Sequence, residues 1–245
     1  MKPEDLPYIY ENFPENHDKV YTENPITLKH VKFELSLIEK YHNKEEVVSW
    51  CDAGCGTGWH LRNTSVNKPR IGIDREQNML DYAKQMKPLG PEWIHCDIND
   101  AFTKLGTFDL VTHFWYGYVH QLTLDDVRKT LLSLAEITAE NGFLLLGVCD
   151  PITWSKSVSH ENTVPFENNL FIDSIIWSYE DPFTNTKYKD CIAPHPALIW
   201  KWLEPYFEKI QMVHYPKSEA APNWERYGYI CSLRNNKEVD FDGEE

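Results

Sequence analysis

The sequence predicts an α/β protein built on a mostly parallel sheet with helices on both faces. Three observations carry that expectation. Short apolar strands alternate with helix-patterned segments from Val47 to Val148, a glycine-rich turn (DAGCGTG) links the first of these strands to a helix, and an acid, Asp74, closes the second strand. Buried parallel strands read as continuous apolar runs, and each crossover between them needs a helix.

Taken in order, residues 1–24 are aromatic and acidic with no clear period, and Pro25 then opens a helix. Leu28, Val31, Leu35 and Ile38 share one face of it, which is expected to cover the edge of the sheet. Strands are expected at 47–52 (VVSWCD), 70–74 (RIGID), 92–97 (EWIHCD), 108–114 (FDLVTHF) and 142–148 (GFLLLGV). Thr123 to Thr138 is a helix: Thr-Leu-Asp-Asp starts it as a capping box, Leu124, Val127, Leu131 and Leu134 line one face, and Asn141-Gly142 is expected to end it. Residues 151–193 break the rhythm, with an inserted β-hairpin made of SIIWSYE and TKYKDCI around DPFTN. A helix from Pro196 to Tyr206 follows, then strands at 209–215 and 227–233. The link between these two strands is too irregular for a parallel crossover, so the final pair is expected to be antiparallel.

Composition narrows the function. The 245 residues carry a net charge of −14, which is still −10 without the acidic tail at 236–245, and no basic cluster offsets it. Such a surface repels phosphate backbones, which argues against a nucleic-acid substrate and for a small molecule, with a cationic one fitting well. No apolar run approaches the ~20 residues of a membrane helix, and the N-terminus lacks a signal-peptide pattern, so a cytoplasmic chain without a membrane partner is expected. The six cysteines form no C-x-x-C pair and no disulfide framework, and no metal site is expected.

The glycine loop is the most specific feature. In an open α/β sheet the first strand–helix turn lies where ligands bind, and an acid 22 residues after Asp52 is placed to accept from both hydroxyls of a ribose. A dinucleotide fingerprint would need glycine where Trp59 stands, and there is no G-x-x-x-x-G-K-[ST] for a triphosphate. Asp52 at the loop entrance, with no lysine nearby, also disfavours a pyrophosphate. A cofactor with adenosine and an ammonium group but no phosphate suits this entrance, which points to S-adenosylmethionine.

With these residues the chain resembles the class I S-adenosylmethionine-dependent methyltransferases. DAGCGTG is similar to their first motif, IGIDREQNMLDYA to the second, CDIND to the third, and FDLVTHF and ITAENGFLLL to the strand and helix–turn–strand that follow. The resemblance spans Leu28 to Asp150. It implies a Rossmann-like seven-stranded sheet with an antiparallel last strand, and methyl transfer from S-adenosylmethionine. The cofactor site it implies is the loop itself (Asp52, Gly54, Cys55, Gly56 and Gly58), Asp74 with Arg75, Asp97 for the adenine amino group with Ile98 on the ring, and His113 and Phe114 at the strand end. Arg75-Glu76-Gln77 departs from the Ser or Pro common there in small-molecule members. One domain over 1–245 is expected: an N-terminal cover (1–45), a cofactor-binding half (46–150), a substrate-covering insertion (151–193), a C-terminal helix and strand pair (194–235) and the tail.

For the acceptor, attention falls on THFWYGYVHQL, where four aromatics stand between His113 and His120. His120 resembles a histidine at the same offset in small-molecule N-methyltransferases, including those acting on amino sugars. It is the candidate base or orienting group, against the alternative that it caps or packs on the next helix. His113 reads as structural, or as a main-chain contact to the methionine part of the cofactor. Trp115, Tyr116 and Tyr118 are candidate acceptor contacts, joined by Tyr10 and Tyr21 from the N-terminal cover and by Trp177 and Tyr179 with Glu180 and Asp181 from the insertion. Aromatic faces beside acids favour a cationic acceptor, with packing or a homodimer contact as the other use of the hairpin. The resulting expectation is a small-molecule N-methyltransferase. The alternatives are an O-methyltransferase, or a protein that binds the cofactor without transfer.

Overall fold

The computed structural model describes residues 14–150, 174–180, 187–217 and 225–234. A seven-stranded sheet runs in the order β3-β2-β1-β4-β5-β9-β8, and β6 and β7 form a separate two-stranded sheet. The strands are β1 (Trp50–Ala53), β2 (Arg70–Asp74), β3 (Glu92–His95), β4 (Phe108–His113), β5 (Thr138–Val148), β6 (Ser174–Glu180), β7 (Lys187–Pro194), β8 (Phe207–His214) and β9 (Tyr227–Arg234). The helices are α1 (Pro14–Glu23), α2 (Pro25–His42), α3 (Trp59–Asn63), α4 (Gln77–Met86), α5 (Ile98–Leu105), α6 (Leu124–Glu136) and α7 (Pro196–Leu203).

The first five strands are parallel, and β9 lies antiparallel between β5 and β8. Alternate residues feed two cores, as a sheet covered on both faces requires. Cys51, Val111, Leu144, Leu146 and Cys231 face α5, α6 and α7 through Ala101, Leu131 and Leu203. Trp50, Leu110, Leu145 and Ile230 face α2 through Leu37, Ile38 and Tyr41. The long helix therefore covers the middle of one face, not the edge expected from sequence, because its apolar stripe meets central strands.

Two further expectations are corrected. Residues 14–23 are helical despite the missing period. Thr123 does cap α6, accepting from Asp126 N–H at 3.1 Å, but that helix stops at Glu136 and Asn141-Gly142 lies inside β5, after an irregular pairing with β4. The hairpin and the antiparallel final pair form as expected. β1 pairs with β2 on one side and β4 on the other, so the chain reverses its winding there and leaves a crevice at the strand ends.

Candidate active site

A cavity of about 370 Å³ opens in that crevice. Its floor is the turn from β1 into α3, where Gly54, Gly56 and Gly58 all take positive φ. A Cβ at Gly58 would stand 2.3 Å from the Trp93 ring, whereas one at Gly56 would meet nothing within 4 Å. The first glycine thus permits close packing, and the second leaves the main chain open to a ligand.

Asp74 braces this turn. Its Oδ2 accepts from Gly56 N–H at 2.7 Å and its Oδ1 from Glu76 N–H at 2.9 Å. Burial raises its pKa, and the two backbone donors oppose that rise. Each oxygen keeps a further lone pair with which to accept from a ribose hydroxyl. Asp97 caps α5 by accepting from Asn99 N–H at 2.8 Å, and both Asp97 and Ile98 line the cavity. Arg75 lines it as well, 3.4 Å from Glu76.

Asp52 supplies a second test of fit. Its Oδ1 accepts from Thr112 Oγ1 at 2.6 Å, and Thr112 accepts from Trp50 Nε1 at 2.9 Å. Its Oδ2 is sealed from solvent and has no hydrogen-bond partner among the described residues, and burial pushes the carboxyl up to about 6. A buried carboxylate oxygen without a donor is costly, and an ammonium group in the cavity would supply donors and charge. The acid, the open glycine and the second-strand carboxylate together fit an amino-acid-bearing nucleoside without phosphate.

The expected roles around β4 divide. His113 is fully buried: Nδ1 donates to Ala53 O at 2.6 Å, Nε2 accepts from Tyr118 N–H at 3.2 Å, and burial holds the ring down at about 4. Both nitrogens are used inside the protein, so the imidazole is a strut between β1 and the aromatic turn. Phe114 lines the cavity and packs on His60 with ring centroids 5.2 Å apart. Cys55 lines it too, with a thiol that burial keeps protonated.

The aromatic turn stands in an uncommon backbone conformation. Trp115 and Tyr116 take φ of 61° and 63° in succession, which for side chains with a Cβ costs roughly 1–2 kcal/mol each. A buried polar cluster holds them. Glu34 of α2, wholly enclosed, accepts from Trp115 Nε1 (3.0 Å), His60 Nε2 (2.8 Å), Tyr215 Oη (2.9 Å) and Arg226 Nη2 (2.8 Å). The Arg226 guanidinium lies 4.0 Å from the Trp115 ring centroid, 4.3 Å from that of Tyr215 and 5.0 Å from that of Tyr116. Trp115 and Tyr116, expected as acceptor contacts, thus already stack on a cation of the chain itself. They still wall the cavity.

Tyr118 is corrected outright. It is fully buried, its oxygen accepts from Cys149 N–H at 2.8 Å, and it does not line the cavity. Tyr21 does, with its ring 5.2 Å from Trp115 and 5.7 Å from Trp59. Asp18 anchors the same helix, accepting from Thr57 Oγ1 (2.7 Å) and Arg62 Nη2 (2.5 Å). His120 lines the cavity with Nδ1 3.5 Å from Cys191 Sγ; it does not cap α6, a role taken by Thr123. Burial, then Arg75, push its pKa down to about 3, so it stays neutral and is a weak base. Tyr10, and the side chains of Trp177, Tyr179, Glu180 and Asp181, lie outside the described residues.

The sequence reading missed Glu34, His60, Tyr215 and Arg226. One signal was present: Glu34 sits between Val31 and Ile38 on the apolar face of α2, where an isolated acid needs a buried partner.

Residues 51–142 match a family described as a methyltransferase domain. Similar solved structures include a methyltransferase from Clostridium acetobutylicum, 19% identical over 91% of this chain and 98% of that one, with a TM-score of 0.61. The N-methyltransferase NodS from Bradyrhizobium japonicum, bound to S-adenosylhomocysteine, is 13% identical over 89% and 91%, with a TM-score of 0.58. An amino pentose methyltransferase from Micromonospora echinaspora, involved in calicheamicin biosynthesis, is 14% identical over 89% and 96%, with a TM-score of 0.56. A search of curated proteins returned no match.

Fold and glycine-loop site together are those of a Rossmann-like methyltransferase sheet, the class that the match at residues 51–142 also indicates. Residues 51–142 therefore match a methyltransferase domain, and the chain shares the fold of S-adenosylmethionine-dependent methyltransferases.

Proposed function

We propose that the chain methylates a nitrogen of a small, polar metabolite. The observation that carries methyl transfer from S-adenosylmethionine is the orphaned, buried Oδ2 of Asp52 beside the open main chain at Gly56, which fits the amino-acid end of that cofactor. In this reading Asp74 holds the ribose, Asp97 and Ile98 the adenine, and Arg75, Cys55, Gly54 and Phe114 complete the enclosure. The bound cofactor supplies an electrophilic methyl group, and the protein supplies alignment and a site closed to water.

The acceptor would meet Tyr21, Trp115 and Tyr116 as walls, with His120 as a neutral hydrogen-bonding partner that orients it. Among the described residues, the carboxylates that line the cavity, Asp52, Asp74, Glu76 and Asp97, cluster on the cofactor side, and Glu34 is committed to Arg226. That favours an acceptor that reacts as the neutral amine. The N-methyltransferase and amino pentose methyltransferase among the similar structures support nitrogen over oxygen. Helix α1, from the expected cover at 1–45, is proposed to close this end, in keeping with the reach of Asp18 and Tyr21 to the loop and the turn; most of the expected cover at 151–193 lies outside the described residues.

The test is incubation with methyl-13C-labelled S-adenosylmethionine and a small-molecule extract. A product heavier by one labelled methyl, with the carbon shift of an N-methyl group, is expected. A methoxy shift would replace nitrogen by oxygen, and no binding of S-adenosylhomocysteine by calorimetry would sink the reading. Asp74→Ala should weaken that binding by at least tenfold, the order expected for hydrogen bonds to a charged group.

A further inference from the structure

The cavity holds a second histidine whose surroundings differ from those of His120. His60 is the second residue of α3, directly after the glycine loop, and its ring lines the cavity against Phe114, Trp59 and Tyr21. Its Nε2 lies 2.8 Å from Glu34 Oε2. The neighbours of Glu34 decide which way that bond runs. Trp115 Nε1 and Arg226 Nη2 can only donate, and the Arg226 charge, with the hydrogen bond from His60 and others, keeps Glu34 below the usual carboxylate range despite its burial. An ionised carboxylate can only accept, so His60 Nε2 carries the hydrogen. In the neutral ring Nδ1 then holds a lone pair. Nδ1 makes no hydrogen bond among the described residues and is not among the buried atoms sealed from solvent without a partner, so it opens to the cavity.

Position agrees with chemistry. His60 lines the same cavity as Asp52, whose buried carboxyl marks the end where the ammonium group of the cofactor would dock. Only a short alkyl chain separates that ammonium from the sulfonium. The arrangement of a histidine with one nitrogen held by a buried carboxylate and the other facing a substrate space is the one general-base catalysis requires.

We propose that His60 is the residue that takes the proton of the acceptor, through Nδ1, with Glu34 as its positioning residue. This rests on the methyltransferase reading above. The lone pair of the acceptor nitrogen forms the new bond to the methyl carbon, the carbon–sulfur bond breaks, and its electron pair stays on sulfur as the thioether. The proton on the now cationic nitrogen passes to Nδ1, and the imidazolium so formed keeps its Nε2–H bond to Glu34 Oε2. An acceptor hydroxyl would give up its proton to the same atom. His120, held neutral by burial, orients the acceptor without taking its charge.

His60→Gln tests this, because its amide nitrogen can keep the donation to Glu34 while Nδ1 is lost. S-adenosylhomocysteine binding by calorimetry should stay within about threefold of the unsubstituted chain, and labelled methyl transfer to the small-molecule extract should fall on the order of 100-fold or more. Unchanged transfer would overturn the proposal, and so would loss of S-adenosylhomocysteine binding, which would make His60 part of the cofactor site. In the unsubstituted chain, nitrogen NMR of labelled histidine should show His60 Nδ1 without hydrogen and Nε2 with it; the opposite tautomer overturns the proposal independently of the variant. If the unsubstituted chain neither binds S-adenosylhomocysteine nor transfers methyl, the functional reading itself fails, an outcome distinct from transfer that survives His60→Gln.

Discussion

Glu34 Oε1 and Arg226 Nη2 lie 2.8 Å apart across 192 residues of chain, and neither side chain is exposed beyond 1%. Helix α2 and the approach to β9 are joined by this pair, and Trp115 of the aromatic turn is fastened to both. Removing one partner of a buried pair leaves an uncompensated charge. Glu34→Gln should therefore lower unfolding free energy by about 3–5 kcal/mol in urea titration. A loss under 1 kcal/mol would show that the pair is not what holds the turn.

Stability should fall on mild acidification. His113 in the folded chain sits at about 4 against an ordinary 6.5, with His30 also at about 4 and His120 at about 3, each lowered first by burial. Above pH 6.5 both folded and unfolded rings are neutral. Between 6.5 and the folded values the unfolded chain binds protons that the folded one refuses, so stability is lost as pH drops. His113 alone contributes about 2 kcal/mol of loss by pH 5. Asp52, raised to about 6, opposes this over the lower part of the range. Urea midpoints at pH 7.5 and pH 5 should differ, and the difference should shrink in His113→Asn.

Asp52 itself trades stability for binding. A carboxyl with a raised pKa costs the folded state free energy above its unfolded value, and that cost is fully felt once pH exceeds the folded value of about 6. At pH 8 Asp52→Asn should raise the urea midpoint and weaken S-adenosylhomocysteine binding by roughly 10-fold or more, the worth of a charge-assisted hydrogen bond. Binding by the unsubstituted chain should weaken below pH 6 as the carboxyl protonates. Unchanged affinity in the variant would remove the ammonium from this position.

Gly58→Ala should damage the loop from two directions. The methyl group would meet the Trp93 ring, and φ of 68° is unfavourable for any side chain. Together these should cost about 2–5 kcal/mol. Thermal unfolding and S-adenosylhomocysteine affinity should both drop, whereas a variant that melts like the parent would contradict the packing described.

Tyr118→Phe separates core from pocket. Cys149 N–H would lose its acceptor, with an expected loss of about 1–3 kcal/mol. The KM for the acceptor should stay within about twofold of the parent, since Tyr118 does not line the cavity. A large rise in KM with unchanged stability would return this tyrosine to the acceptor site.

Much of the scaffold was legible in the linear chain because its causes are local. Apolar runs, a capping threonine and glycines that need positive φ are properties of a few neighbouring residues. So RIGID is a strand within its expected limits, and Asp74 follows the glycine loop as its spacing implies. Helix α1 was not legible, since its hold comes from Asp18 on Thr57 and Arg62 and from Tyr21 against Trp115, partners far along the chain.

The aromatic turn marks the boundary most clearly. Its place at the end of the fourth strand set it beside the cofactor loop, because β4 neighbours β1 in a sheet of this winding. Which ring faces the cavity, which is core and which is stacked on an arginine depended on Glu34 and Arg226, residues separated from it by 81 and 110 positions or more. Strand and loop identity are set by steric and hydrophobic preferences of adjacent residues. The direction of a side chain, the tautomer of His60 and the charge of Asp52 are set by desolvation and hydrogen bonding among groups that only the tertiary fold brings together.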